Sequence, residues 1–279
     1  LYTYFLYPLL LVLLNIALGR DRTIGPVEAS VSILLPIHNE EQNLGRRLDE
    51  LLRMIQTAGV VGEIIVISDA STDRSVEIAR QYAGLGVRVV EMQTKQGKAA
   101  ALNAGAALAQ HDLLIFADAR QRWADDALAR LIENFADAAV GAVSGDLVLE
   151  SAPGVLAGVG MYWRFEKWLR KQESRLGSQV GVTGAISACR RTLFRPIPPG
   201  TLLDDVYWPM HLVLQGYRVV HDERALAFDR LPDNPSDEFW RKVRTLAGNF
   251  QLLLLLPFSA LLPVLNRVWW QWVSHKLLR

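Results

Sequence analysis

Val31-Ser32-Ile33-Leu34-Leu35-Pro36-Ile37-His38-Asn39-Glu40 decides how the chain is read. A short β-type run closed by a proline predicts a buried strand, and the polar residues after it mark the strand's exit. The next segment, Glu41 to Thr57, changes period. Leu44, Leu48, Leu51, Leu52 and Ile55 fall on one helical face. The same alternation then repeats. Glu63 to Ile67 is a β-branched run, Asp73 to Tyr82 is helical, and Val87 to Glu91 is a third strand. Gly97 to Gln110 is an Ala-rich helix, Leu113 to Phe116 a fourth strand, and Ala124 to Phe135 another helix. Strands alternating with helices predict an α/β fold with a mostly parallel sheet covered on both faces.

In such a sheet ligands gather outside the carboxyl ends of the strands. Three polar segments follow strands: Pro36 to Glu40, Ser68 to Asp73, and Ala117 to Arg120. Asp118, delivered by Leu114-Ile115-Phe116-Ala117, suits a hard cation, which needs carboxylate oxygen and shares phosphate oxygens. It could also cap the following helix, but Asp125 and Asp126 stand nearer that helix. Asp69 is placed either to accept hydrogen bonds from a base or ribose or to stabilise its own turn. Asp73 reads as the cap of its helix. Asp204 and Asp205 open a helix over Asp204 to Gly216. They either complement the helix dipole or, as two adjacent acids, supply a general base.

Several site types are excluded. No Walker phosphate loop surrounds Gly97-Lys98, no Gly-x-Gly-x-x-Gly follows the first strand, and no paired zinc-ligand motif occurs. The formal net charge of +1 gives no electrostatic case for a nucleic-acid partner. Cys189, the single cysteine, sits in an apolar run and reads as a buried residue rather than a nucleophile.

Both ends are apolar. Leu1 to Leu18 carries no charge and precedes Arg20, Asp21 and Arg22, which predicts a membrane helix over residues 1–19 with its C-terminal flank in the cytosol. Residues 250–279 hold a leucine run, then Arg267, Trp269, Trp270, Trp272 and Lys276. This predicts a transmembrane or interfacial segment, with Pro257 and Pro263 opposing one straight span. Between them, residues 30–249 form the expected catalytic domain. Within it, Tyr162 to Leu176 mixes aromatic and basic residues. It reads either as a helix packing its aromatic face on the sheet or as one lying at a membrane surface.

Taken in order, Pro36-x-His38-Asn39-Glu40, Ser68-Asp69-Ala70-Ser71-Thr72-Asp73, Lys95 to Asn103, Asp118-Ala119-Arg120, Thr183-Gly184-Ala185 and Asp204-Asp205 resemble the motifs of family 2 glycosyltransferases. The resemblance runs from about Val31 to Phe250. It implies a Rossmann-like GT-A fold and inverting transfer from a nucleotide-sugar, a UDP-sugar, to the hydroxyl of a saccharide or lipid-linked acceptor. The apolar ends and the arginines after the first add the expectation of residence at the cell inner membrane with the catalytic domain facing the cytoplasm, and with it the lipid-linked acceptor. By the same resemblance Pro36, His38, Glu40 and Asp69 surround the nucleotide and Lys98 lies by the phosphates. Asp118 holds Mg²⁺ or Mn²⁺, Thr183 and Gly184 line the sugar and acceptor site, and Asp205, with Asp204, is the base. Two positions depart from the family pattern. Arg120 replaces the second acid of Asp-x-Asp, which leaves either a single-carboxylate metal site or an arginine on phosphate. The Gln-x-x-Arg-Trp motif of processive synthases is missing, and Arg241 and Arg244 stand in its region, one helical turn apart, where both could face the diphosphate. Arg120 also keeps open a non-catalytic nucleotide-sugar-binding subunit of a membrane complex.

Overall fold

The four strands expected in the first half form one parallel block. In the computed structural model, which describes residues 1–150, 157–230 and 235–278, helix α1 (Tyr7–Leu18) leads to β1 (Val31–Ile37). Then follow α2 (Leu44–Ala58), β2 (Gly62–Asp69), α3 (Ser75–Gln81), β3 (Val87–Met92), α4 (Lys98–Leu108) and β4 (Leu113–Ala117). These strands lie side by side in the order β3-β2-β1-β4. β1, β2 and β4 are buried along almost their whole length, as a strand covered on both faces must be.

The second half departs from the parallel expectation. It comprises β5 (Arg122–Trp123), α5 (Ala127–Glu133), β6 (Val140–Glu150), α6 (Ala157–Leu176), β7 (Ile186–Arg190), α7 (Asp204–Leu214), β8 (Arg218–Arg230), α8 (Pro235–Leu255) and α9 (Trp269–Trp272). The sheet continues β4-β7-β6-β8-β5, with β7 antiparallel to both β4 and β6, β8 parallel to β6, and β5 antiparallel to β8. It is therefore a mixed eight-stranded sheet. β6 and β8 have no uninterrupted apolar run, because each carries polar residues where its pairing shifts register, around Ser144/Asp146.

Two apolar layers cover the sheet. One lies beneath α2, α3 and α5 and includes Leu48, Leu51 and Leu131. The other lies beneath α4, α7 and α8 and includes Leu102, Trp208 and Leu252. The C-terminal stretch folds into this second layer, where Leu256, Ala260, Val268 and Trp272 are buried; it breaks into short turns after Pro257 instead of forming one helix. Cys189 is buried there too, and burial pushes its thiol far above its ordinary range, as expected of an inert residue. α1 packs Tyr7 and Leu11 against Leu169 of α6. Among the described residues no helix is long and apolar enough to cross a membrane.

Candidate active site

The strand order reverses between β1 and β4, and a crevice opens where their carboxyl ends part. β1 delivers Pro36 and, just beyond, Glu40; β4 delivers Asp118, Ala119 and Arg120. Because Ala117 pairs with Ile186 across the antiparallel β4/β7 ladder, Gly184 and Ala185 arrive beside Asp118. The loop before β7 is tied to α7 through Val182 N–H, which donates to the Asp205 carbonyl at 2.8 Å. Gly181 makes this approach feasible: its φ is +89°, and a Cβ there would sit 2.8 Å from that same carbonyl. Asp204 and Asp205 of α7 and Arg244 and Thr245 of α8 close a chamber of about 420 Å³.

A second chamber of about 340 Å³ adjoins the first and shares Asp118, Gly184, Asp205 and Arg244 with it. Its far wall is one face of α6, with Trp163, Glu166, Lys167 and Arg170 at helical spacing. Thr183 belongs to this chamber. Lys167 Nζ pairs with Asp146 Oδ2 at 2.9 Å, and Arg170 Nη1 donates to Thr183 Oγ1 at 3.3 Å. Glu166 meets His275 Nε2 at 2.6 Å, and His275 Nδ1 meets Glu173 at 2.9 Å. Burial favours protonation of Glu166, but His275 and then Arg170 outweigh it and hold the carboxyl far below its usual range.

Lys98 is the electrostatic centre of the first chamber. Asp69 accepts the backbone N–H groups of Gln96 (2.7 Å) and Gly97 (2.8 Å), and Gly97, at φ +87°, turns the chain into α4. Lys98 Nζ then reaches Asp118 Oδ1 at 2.7 Å and the Gly184 carbonyl at 3.3 Å. Burial disfavours its charge, but Asp118, Asp204 and Asp205 more than compensate and hold it as an ammonium. Asp204 is pushed up to about 6, first by burial and then by Asp205 and Asp118, against the pull of Lys98.

Of the residues singled out in the sequence, Pro36, Glu40, Lys98, Asp118, Arg120, Gly184, Asp204, Asp205 and Arg244 therefore share one chamber. His38 and Asp69 do not line either chamber. His38 Nδ1 pairs with the Asp69 carbonyl at 2.8 Å, so the two residues cross-link the ends of β1 and β2. Asp73 accepts the N–H groups of Ser75 and Glu41, as expected of a cap. The side chain of Arg241 lies outside the described residues. Three participants were not expected. Arg47, fully buried on α2, donates from Nε to the Asp118 carbonyl at 3.1 Å, pairs with Glu50 at 3.0 Å and lies over the Trp123 ring at 4.6 Å. Trp123 Nε1 in turn donates to the Ala185 carbonyl at 3.1 Å.

By their own charges these side chains make a poor site for the expected Mg²⁺ or Mn²⁺. Asp118 is already paired with the Lys98 ammonium, and Arg120, two residues on, brings a second cation whose Nε lies 3.6 Å from Glu40. Among the described residues no three His, Cys, Asp or Glu side chains converge as a metal site.

Known proteins resemble this chain in sequence and in fold. The family model for glycosyl transferase family 2 matches residues 32–197, more than half of the chain. A poly-beta-1,6-N-acetyl-D-glucosamine synthase of Staphylococcus epidermidis is 24% identical over 80% of this chain and 55% of its own length. The synthase of that name from Staphylococcus aureus strain COL is 25% identical over 83% and 57%. The chain thus spans about half the length of these curated relatives. Among solved structures, the mannosyltransferase PcManGT from Pyrobaculum calidifontis, in complex with GDP-Man and Mn2+, superposes with a TM-score of 0.76. It covers 98% of this chain and 79% of its own, at 23% identity. S. aureus TarS 1-349 in complex with UDP-GlcNAc superposes at 0.55, over 80% and 66%, at 15% identity. These likenesses are of fold, and they match the GT-A expectation.

Proposed function

The chain belongs to glycosyl transferase family 2, and on that premise we propose that its cleft moves a sugar from a UDP-sugar to an acceptor hydroxyl with inversion at the anomeric carbon. One observation carries this reading: Asp205 stands at the junction of the two chambers and lines both. The donor diphosphate occupies the first chamber, among Lys98, Arg120 and Arg244. The acceptor enters the second, against α6. Asp205 takes the proton from the acceptor hydroxyl, and the oxygen attacks the anomeric carbon. The bond to the diphosphate oxygen breaks on the opposite face, and Lys98 stabilises the charge that grows there. A saccharide or lipid-linked acceptor fits the polar and aromatic wall of Trp163, Glu166, Lys167 and Arg170. Because the Gln-x-x-Arg-Trp motif is missing, the reading favours single transfer over chain extension.

The proposed setting is the inner face of the cell membrane, with the catalytic domain in the cytoplasm. Support comes from α1, whose outward residues Leu9, Leu13 and Ile16 are all more than half exposed, followed by Arg20 and Arg22. A purely binding subunit would have no use for a carboxylate at the chamber junction. The test is Asp205→Asn, assayed by UDP release from UDP-sugars and by calorimetric titration with UDP. Turnover is expected to fall by roughly 10²–10⁴-fold with UDP affinity retained. Near-normal turnover would remove Asp205 from the role.

A further inference from the structure

We infer that this protein holds the donor diphosphate with Lys98, Arg120 and Arg244 in place of a divalent cation, so that nucleotide binding does not depend on metal. The inference rests on the transferase reading and specifies how its donor site works.

Three observations carry it. First, the carboxylate that β4 presents is already neutralised. Lys98 Nζ lies 2.7 Å from Asp118 Oδ1 and is also held by the Gly184 carbonyl. A divalent ion on Asp118 would be left with Oδ2 and would have to stand beside this ammonium, like charge against like. An arriving diphosphate, by contrast, gains from the lysine where it stands. Three acids keep Lys98 charged, so its contribution persists across the working pH range. Secondly, Arg120 occupies the position from which a second acid would reach a metal. Its side chain is 74% exposed at the chamber mouth, with only a long 3.6 Å approach to Glu40. It is free to turn inward, where a guanidinium can grip two phosphate oxygens at once. Thirdly, Arg244 lines both chambers, and its Nη2 is steadied by the Leu202 carbonyl at 3.1 Å. Each of the three cations comes from a different element: α4, the β4 exit and α8. Together they approach the diphosphate from separate sides, as a metal with its ligands would.

The experiment is calorimetric titration of the purified chain with UDP and, separately, with GDP, each in EDTA and in Mn²⁺. One nucleotide is expected to bind in both buffers, with dissociation constants that agree within about fivefold. Binding that needs Mn²⁺, or tightens by more than that factor when it is added, overturns the inference and leaves the transferase reading standing. Failure of both nucleotides to bind in either buffer overturns the transferase reading and the inference together. Arg120→Asp provides the second arm, at an exposed position that does not threaten folding. It is expected to lose roughly tenfold in EDTA, the usual worth of a charge-assisted bond, and to regain affinity in Mn²⁺ through the restored acid pair. Unchanged affinity in EDTA removes Arg120 from the clamp.

Discussion

Asp204 and Asp205 are neighbours in sequence and differ in environment. Asp205 opens onto both chambers, whereas Asp204 is 7% exposed and is pushed up to about 6 by burial and by the acids beside it. Its folded value lies above the roughly 3.9 of an unfolded chain, so the native state holds the proton more tightly. Stability from this group is therefore present at low pH and is lost as pH rises from about 4 through about 6. Asp204→Asn is expected to gain stability relative to its parent as pH rises from about 4 through about 6; urea unfolding at pH 4 and pH 8 measures the difference. A difference that does not change between the two pH values would show that Asp204 carries no raised pKa in the folded state. Arg47 presents the converse case of a buried cation. Burial lowers its pKa, and Glu50 opposes that shift without cancelling it. Arg47→Met leaves buried Glu50 with only the Trp123 N–H and a long 3.5 Å approach from Arg46 and should cost about 3 kcal/mol, read by urea unfolding. Asp118 could be placed at the crevice because a buried strand delivers it, whereas the helix start left Asp205 open between dipole charge and base, and only the family resemblance singled it out. Arg47 was not legible, because nothing local reveals that Glu50, Trp123 and the Asp118 carbonyl meet it in space.

At the level of elements, the parallel half of the sheet was readable and the antiparallel half was not. β1, β2 and β4 are buried on both faces and so read as short apolar runs. β8 instead carries Arg218, His221, Asp222, Glu223 and Arg224, and its polar residues are met by partners both near and far in sequence. Asp222, for example, is met by Arg224, Arg22 and Asn134. α6 packs on the sheet through β8, where Ser174 Oγ accepts the His221 N–H at 2.9 Å. Its aromatic side also meets the N-terminal segment, where Phe165 stacks with Tyr4 at 6.2 Å and Leu169 meets Tyr7 and Leu11 of α1, while its charged side walls the second chamber. The link between the β7 loop and α7 depends on Gly181, and Gly181→Ala tests it. A Cβ would meet the Asp205 carbonyl at 2.8 Å and Val206 Cγ2 at 3.0 Å, in a backbone conformation that itself costs roughly 1–2 kcal/mol for alanine. Thermal unfolding should fall accordingly, and turnover should drop by at least about tenfold as Asp205 shifts, in line with the sensitivity of catalysis to small misplacement. Gly84→Ala, with open space around it, should change turnover negligibly. If the two alanines behave alike, Gly181 does not position α7.

Considered whole, the molecule is polar at its cleft and apolar along α1. The inner side of α1 is firmly held: Tyr7 lies edge-on to Trp270 at 4.8 Å, its hydroxyl donates to Glu173, and Asn15 donates to the Gln172 carbonyl at 2.9 Å. The outer side, with the turn before it, carries Phe5, Leu9, Leu13 and Ile16, spaced three or four residues apart and exposed by 53–79%. A continuous apolar stripe of this kind on a soluble surface normally marks a contact. α6 lies directly behind it, so a bilayer meeting α1 would stand one helix away from the second chamber, where a membrane-borne acceptor would have to arrive. Arg20 and Arg22 follow the stripe, as expected where an apolar helix meets anionic headgroups. The paired substitution Leu9→Glu and Leu13→Glu removes two side chains that each contribute about 1.5–3 kcal/mol when buried in lipid, and it adds charge where lipid would be. Flotation with vesicles containing anionic phospholipid should fall by more than about a hundredfold in partition. UDP affinity should stay unchanged, because neither leucine touches the chambers. A variant that floats as well as its parent would place the membrane contact elsewhere on the molecule, while a variant that loses UDP binding as well would make α1 a part of the fold rather than of its docking.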